Sequence, residues 1–164
     1  MQMKTLVAYF SAEGTTAAIA RAFAQDTGSD LFEIRPEKPY SAQDIRWTNP
    51  LARCNREKFA GAEVPVAGTV EGWDRYDTVV LGFPIWYYGA PNVVRTFCSG
   101  YDWTGKNVVL FATSGGSGIG KTAEKLKPYL KGNPKILAAE VIRSAEELGR
   151  LARQAGAEGT GQGT

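Results

Sequence analysis

The chain has 164 residues, 43% hydrophobic and 22% charged, with 19 basic and 17 acidic side chains and no histidine. That balance fits one soluble α/β domain with a sizeable core. A net charge of +2 with scattered basic residues implies neither a polyanionic partner nor nucleic-acid binding. Without histidine, imidazole acid–base catalysis and the usual zinc and haem ligand sets fall away. The two cysteines, Cys54 and Cys98, lie far apart without metal-type spacing, so two free thiols in a reducing compartment are expected, with a disulfide between them the alternative. The N-terminus is too short an apolar run for a signal peptide, and nothing is long enough to span a membrane. A cytoplasmic protein is the expectation, and no metal site is foreseen.

Leu6–Phe10 is an apolar β-type run that stops at Ser11-Ala12-Glu13-Gly14-Thr15-Thr16, after which Ala17–Gln25 has helical spacing. Strand, loop and helix follow, the helix ending near Gly28. The first N–H groups of such a helix lack internal partners and its dipole favours an anion. With hydroxyls on Ser11, Thr15 and Thr16, the loop can cradle a phosphate, although Ser and Thr are also ordinary N-caps. Leu31–Ile34 reads as a second strand. From Arg35 to Gly72 the pattern is broken by prolines, with Leu51–Phe59 a candidate helix. A stretch this long inside a domain is either a surface loop or a cover for a site.

Thr78–Phe83 and Val108–Thr113 are continuous apolar strands of the kind buried on both faces of a parallel sheet. Pro84 ends the first of these, and Pro91 opens a helix running to Gly100. A helix from about Lys121 should be kinked or shortened at Pro128. Lys135–Ala139 is a fifth strand, and Ser144 with Glu147 forms a capping box for the last helix. Residues 1–156 form the domain, and the Gly-rich 157–164 is a flexible tail. The alternation predicts a doubly wound, five-stranded parallel sheet of order 2-1-3-4-5, with ligands lodged beyond the carboxyl ends of strands 1 and 3.

Three loops then open on one edge. The loop Pro84-Ile85-Trp86-Tyr87-Tyr88, bracketed by prolines, should expose at least one flat aromatic face. Its alternative role is a patch covered by a partner or a second chain. The loop Ser114-Gly115-Gly116-Ser117 lets backbone N–H groups approach a ligand closely. Gly115–Thr122 also fits the nucleoside-triphosphate P-loop pattern. However, it follows the fourth strand, and no later strand ends in an Asp to hold magnesium. No Gly-x-Gly-x-x-Gly follows the first strand, which disfavours a dinucleotide fold.

A phosphate cradle, an aromatic wall and a glycine wall match the parts of FMN. Tyr9-Phe10-Ser11 with Gly14-Thr15-Thr16, Gly82–Trp86 and Thr113–Gly118 together resemble the flavodoxin family over roughly Lys4–Leu137. Pro39-Tyr40, Trp47–Asn49 and Arg53 resemble the segment that some short members place near the flavin. The resemblance implies that Ser11, Ala12, Glu13, Gly14, Thr15 and Thr16 hold the phosphate. It also implies that Pro84, Ile85, Trp86, Tyr87 and Tyr88 border the ring on one side, and Ser114, Gly115, Gly116 and Ser117 on the other. The chain departs from the usual Thr-Gly-Asn-Thr at Glu13–Thr16, where the Glu13 side chain is expected to face solvent. The implied function is electron transfer through FMN between redox partner proteins. The alternative is an FMN-dependent oxidoreductase taking a nicotinamide donor and a quinone-type acceptor. Neither ring-side loop carries Asp or Glu, so the second reduction potential should be less negative than in acidic flavodoxins.

Overall fold

The computed structural model describes residues 4–12, 14–37, 65–85, 90–114 and 119–155. β1 (Lys4–Tyr9) leads into α1 (Thr15–Thr27) and β2 (Asp30–Glu33). Two short strands follow, β3 (Arg35–Pro36) and β4 (Val66–Ala67), and then β5 (Tyr76–Pro84) and α2 (Asn92–Ser99). The chain continues through β6 (Asn107–Thr113), α3 (Thr122–Leu126), β7 (Lys135–Val141) and α4 (Ala145–Ala155). The sheet has the order β2-β1-β5-β6-β7 with every pair parallel. Counting the five sheet strands alone, this is the expected 2-1-3-4-5.

Alternate residues of each central strand feed two cores. Leu6, Ala8, Val79, Leu81, Val108 and Leu110 pack with Val93, Val94 and Phe97 of α2. Val7, Tyr9, Val80, Val109 and Phe111 pack with Ile19, Ala20 and Phe23 of α1 and with Leu148 of α4. Apolar residues on both faces are why these strands read as unbroken hydrophobic runs. Gly82 is required where it stands: a Cβ there would meet the Phe111 ring at 2.1 Å. That ring occupies the volume a side chain would need.

The local stop signals act largely as their chemistry dictates. Gly28 closes α1 in the left-handed region (φ 70°), its N–H bonding Ala24 O. Pro128 holds α3 to five residues, followed by a 3₁₀ turn over Lys127–Tyr129. Ser144 Oγ accepts the Glu147 N–H at 3.1 Å, while Glu147 Oε1 accepts from Arg143 N at 2.7 Å. The carboxylate thus reaches one residue further back than a reciprocal capping box requires. β3 and β4 form an antiparallel ribbon within the stretch read from sequence as broken. The candidate helix Leu51–Phe59 lies outside the described residues.

The edge of the sheet where β5 begins is plugged by aromatic side chains and one lysine. Trp73 packs on Tyr101 with the rings tilted (4.5 Å between centroids) and meets Trp103 edge-on (4.8 Å). Lys106 is buried here, its Nζ donating to Trp73 O at 3.1 Å and to Tyr76 O while lying 4.8 Å from the Trp73 ring centroid. Burial pulls the Lys106 pKa below the usual lysine range, opposed by the charges of Asp74, Asp77 and Asp102. This foot stands at the end of the sheet opposite the edge that carries the candidate site.

Candidate functional site

Parallel pairing delivers Tyr9, Pro84 and Thr113, the last residues of β1, β5 and β6, to one edge of the sheet. Three backbone bonds fix how the chain leaves these strands. Phe10 N–H donates to Gly82 O (2.9 Å), Ile34 N–H to Tyr9 O (2.6 Å) and Ile85 N–H to Thr113 O (2.9 Å). Every loop singled out in the sequence therefore starts from a tethered point. β1 lies between β2 and β5, so the crevice between the chain leaving β1 and that leaving β5 is where the order of connection reverses.

The first loop turns on Gly14, whose N–H donates to Ser11 Oγ at 3.0 Å. Gly14 is the N-cap of α1 at φ 98°, a left-handed conformation that glycine adopts without strain. It makes no side-chain cap, and nothing lies within 4 Å of where its Cβ would be. The first intrahelical bond runs from Ala18 N to Gly14 O (3.0 Å), which leaves the N–H groups of Thr15, Thr16 and Ala17 ahead of the ladder without an intrahelical acceptor. Thr15 is exposed, and Ser11 and Ala12 are half-buried, Ala12 packing on the α2-side core. Glu13 lies outside the described residues.

Thr16 differs from expectation in its side chain. The hydroxyl read as facing a phosphate is buried, 2.8 Å from Thr113 Oγ1. It ties the first turn of α1 to the end of β6, the strand from which the glycine-rich loop departs. This link joins residues 97 positions apart. Its one visible trace in the sequence is a threonine closing an otherwise apolar strand.

Pro84 and Ile85 are half-buried, with Ile85 packed on the α2-side core, and Pro84 lies opposite Thr113 in the ladder. The chain re-enters the described structure at buried Ala90 and Pro91, just ahead of α2. Ser114 is half-buried beside the same edge. Trp86, Tyr87 and Tyr88, and Gly115, Gly116 and Ser117, lie outside the described residues, as do Pro39-Tyr40, Trp47–Asn49 and Arg53. Thus the structure brings together Ser11, Ala12, Gly14–Thr16, Pro84, Ile85 and Ser114, the bases of all three loops.

The triphosphate reading finds no support in this geometry. Thr122, which would present its hydroxyl to magnesium, is fully buried and donates that hydroxyl to Ile119 O. The helix behind it has five residues. Among the described residues no group of three or more His, Cys, Asp or Glu could hold a metal ion, and no helix is long and apolar enough to cross a membrane. Cys98 is a free, buried thiol whose pKa is pushed up by burial; Cys54 lies outside the described residues.

Residues 4–143 match the family described as Flavodoxin. The chain belongs to the flavodoxin family. No curated protein matches it. A solved structure from Bacteroides eggerthii, of a protein assigned as a flavoprotein, is 34% identical; the match covers 94% of this chain and 98% of that one, with a TM-score of 0.85. A counterpart from Bacteroides uniformis is 33% identical over 93% and 99% of the two chains, with a TM-score of 0.81. A flavoprotein from Lactobacillus acidophilus, solved in complex with FMN, shares the fold at 19% identity over 92% and 99%, with a TM-score of 0.66. The loop on Gly14, Pro84–Ile85 and the end of β6 thus share the carboxyl edge of the sheet in a flavodoxin-family chain.

Proposed function

We propose that this flavodoxin-family chain binds FMN at the edge formed by the loops after β1, β5 and β6, and carries electrons through it between protein partners. The observation that carries the reading is the loop over α1. A glycine N-cap at φ 98°, without a side-chain cap and with open space beside it, stands ahead of a helix 13 residues long. The N–H groups of the first turn, which have no intrahelical acceptor, and the helix dipole there favour a dianionic phosphate monoester. Ser11 Oγ accepts from Gly14, which folds the loop and leaves its O–H to donate. Membership of the family and the likeness to a fold solved with FMN support the same ligand.

When bound, the flavin supplies the one- and two-electron chemistry. The chain's own residues have three tasks. The first turn of α1 anchors the phosphate, Pro84–Ile85 and Ser114 start the walls on either side of the ring, and the Thr16–Thr113 bond holds anchor and wall together. No acidic residue occurs in 84–91 or 114–120. The second reduction potential is therefore expected to be less negative than in acidic members of the family.

The test compares FMN with riboflavin, which has the same ring and no phosphate. Visible absorbance and flavin fluorescence should show FMN binding at least about 100-fold tighter. Thr15→Glu, which adds a carboxylate at the exposed first turn, should erase most of that difference and leave riboflavin binding unchanged. Equal affinity for the two ligands, or none for either, would overturn the reading. Anaerobic NADPH should leave the bound flavin oxidised; bleaching by NADPH alone would assign the oxidoreductase activity instead.

A further inference from the structure

β7 is the last strand of the sheet, and the described residues leave its outer edge unpaired. Natural sheets usually protect such an edge with proline, inward charges or a cover. Here the strand reads Lys135-Ile136-Leu137-Ala138-Ala139-Glu140-Val141, with four uncharged apolar residues between two opposite charges.

The register against β6 slips once. Ile136 stands opposite Val108 and Ala138 opposite Val109, so Leu137 is an extra residue at a bulge. At the two ends, Lys135 N–H donates to Lys106 O (3.0 Å) and Ile142 N–H to Ala112 O (2.8 Å), so both face inward. Alternation from each end then turns the N–H and C=O groups of Ile136 and Ala139 outward. The side chains follow the same pattern. Ile136 and Ala139 pack on the α2-side core, and Leu137 and Ala138 on the α1/α4-side core. Lys135 opposite Asn107 and Glu140 opposite Phe111 also belong to the α1/α4 side. Because of the bulge, residues 135–140 form a palindrome in side-chain face and in hydrogen-bonding direction, centred between Leu137 and Ala138.

We propose that two copies of this chain join edge to edge through β7, antiparallel about a two-fold axis passing between Leu137 and Ala138. A two-fold perpendicular to a sheet keeps each side chain on its own face, so only a strand with this symmetry can pair with itself in this register. Lys135 then stands opposite Glu140 of the second copy, Ile136 opposite Ala139, and Leu137 opposite Ala138. Each of the two Ile136–Ala139 pairs exchanges both of its main-chain bonds. Each of the two Lys135–Glu140 pairs sets opposite charges face to face. An unrelated strand would have to supply the same bulge, faces and charges, whereas a second copy supplies them by symmetry. The seam is short for an interface, so the dissociation constant is expected on the order of micromolar.

The test is sedimentation velocity on the full chain across a concentration series. Wild type should pass from monomer to dimer as concentration rises. Ala139→Pro, which removes an outward N–H and leaves the β6 ladder intact, should remain monomeric with an unchanged urea midpoint. Glu140→Lys and Lys135→Glu, each placing like charges opposite one another, should weaken the dimer about 10-fold. The double exchange should restore it to within about threefold of wild type. A monomer at every concentration, or a dimer indifferent to Ala139→Pro and to both charge variants, would overturn the proposal. So would a chain that dimerises only after residues 156–164 are removed, since its own terminal segment would then be the occupant of the edge.

Discussion

Replacing Thr113 with valine keeps the shape of the side chain and removes the hydroxyl 2.8 Å from Thr16 Oγ1. Thr16 is 1% exposed and Thr113 7%, so water has little room to replace the lost partner. A buried hydroxyl left without a hydrogen bond costs about 1–3 kcal/mol, and Thr113→Val should destabilise the flavin-free protein by that amount. Thr16→Val should do the same. The double variant has no orphaned hydroxyl and puts methyl against methyl, so it should cost less than the sum of the singles, with a coupling energy of roughly 1–2 kcal/mol. Urea unfolding followed by circular dichroism, with slopes compared between variants, measures all four corners of the cycle. Strictly additive singles, or singles that each cost under about 0.5 kcal/mol, would show that the hydroxyl pair does not join α1 to β6.

Gly82→Ala should destabilise by about 3 kcal/mol or more, because the new methyl would meet a buried ring in a central strand rather than a flexible side-chain end. Pairing it with Phe111→Leu should recover part of that loss in the same urea assay. Tyr76 donates its hydroxyl to Asp30 Oδ2 at 2.6 Å, and burial together with that carboxylate pushes its pKa up to about 12. The unfolded chain ionises near pH 10 while the folded one keeps its proton. Stability should therefore be fully present below pH 10 and fall as pH rises toward 12, with the fall attributable to Tyr76 absent in Tyr76→Phe. Cys98 is fully buried, and burial raises its pKa. In a Cys54→Ser background it should resist a thiol reagent until urea unfolds the protein; rapid labelling of the native state would contradict the packing.

Much of the fold was legible because its signals are local. Unbroken runs such as Val79–Phe83 and Val108–Ala112 declare strands covered on both faces. Gly28, Pro128 and Ser144 act within a turn of where they stand. The candidate site was legible at Ser11–Thr16 for the same reason, since strand, glycine and helix are contiguous there. Elsewhere the determining contacts cross the sequence. The β3–β4 ribbon pairs two residues with two others across about thirty intervening positions, too little pattern for alternation to reveal. The hydroxyl of Thr16 turned inward because Thr113 waits across the sheet, and nothing near Thr16 announces that. In the sequence Lys106 is simply one of the scattered basic residues. Only the fold supplies the carbonyls of Trp73 and Tyr76 that make its burial tolerable. The bulge at Leu137 was equally silent, since one extra residue in an apolar run changes register without changing composition.

The β3–β4 ribbon also has a consequence for how such a protein can diversify. Glu37 N–H meets Pro65 O at 2.9 Å, so the two ends of the segment 38–64 are held at one stapled point. The cost of closing such an excursion grows only with the logarithm of its length, about 0.6 kcal/mol for each doubling. The staple therefore fixes the two ends of whatever is spliced between them. In closure entropy alone, segments of different length can be exchanged there at little expense, making it a port through which one scaffold can acquire new specificities.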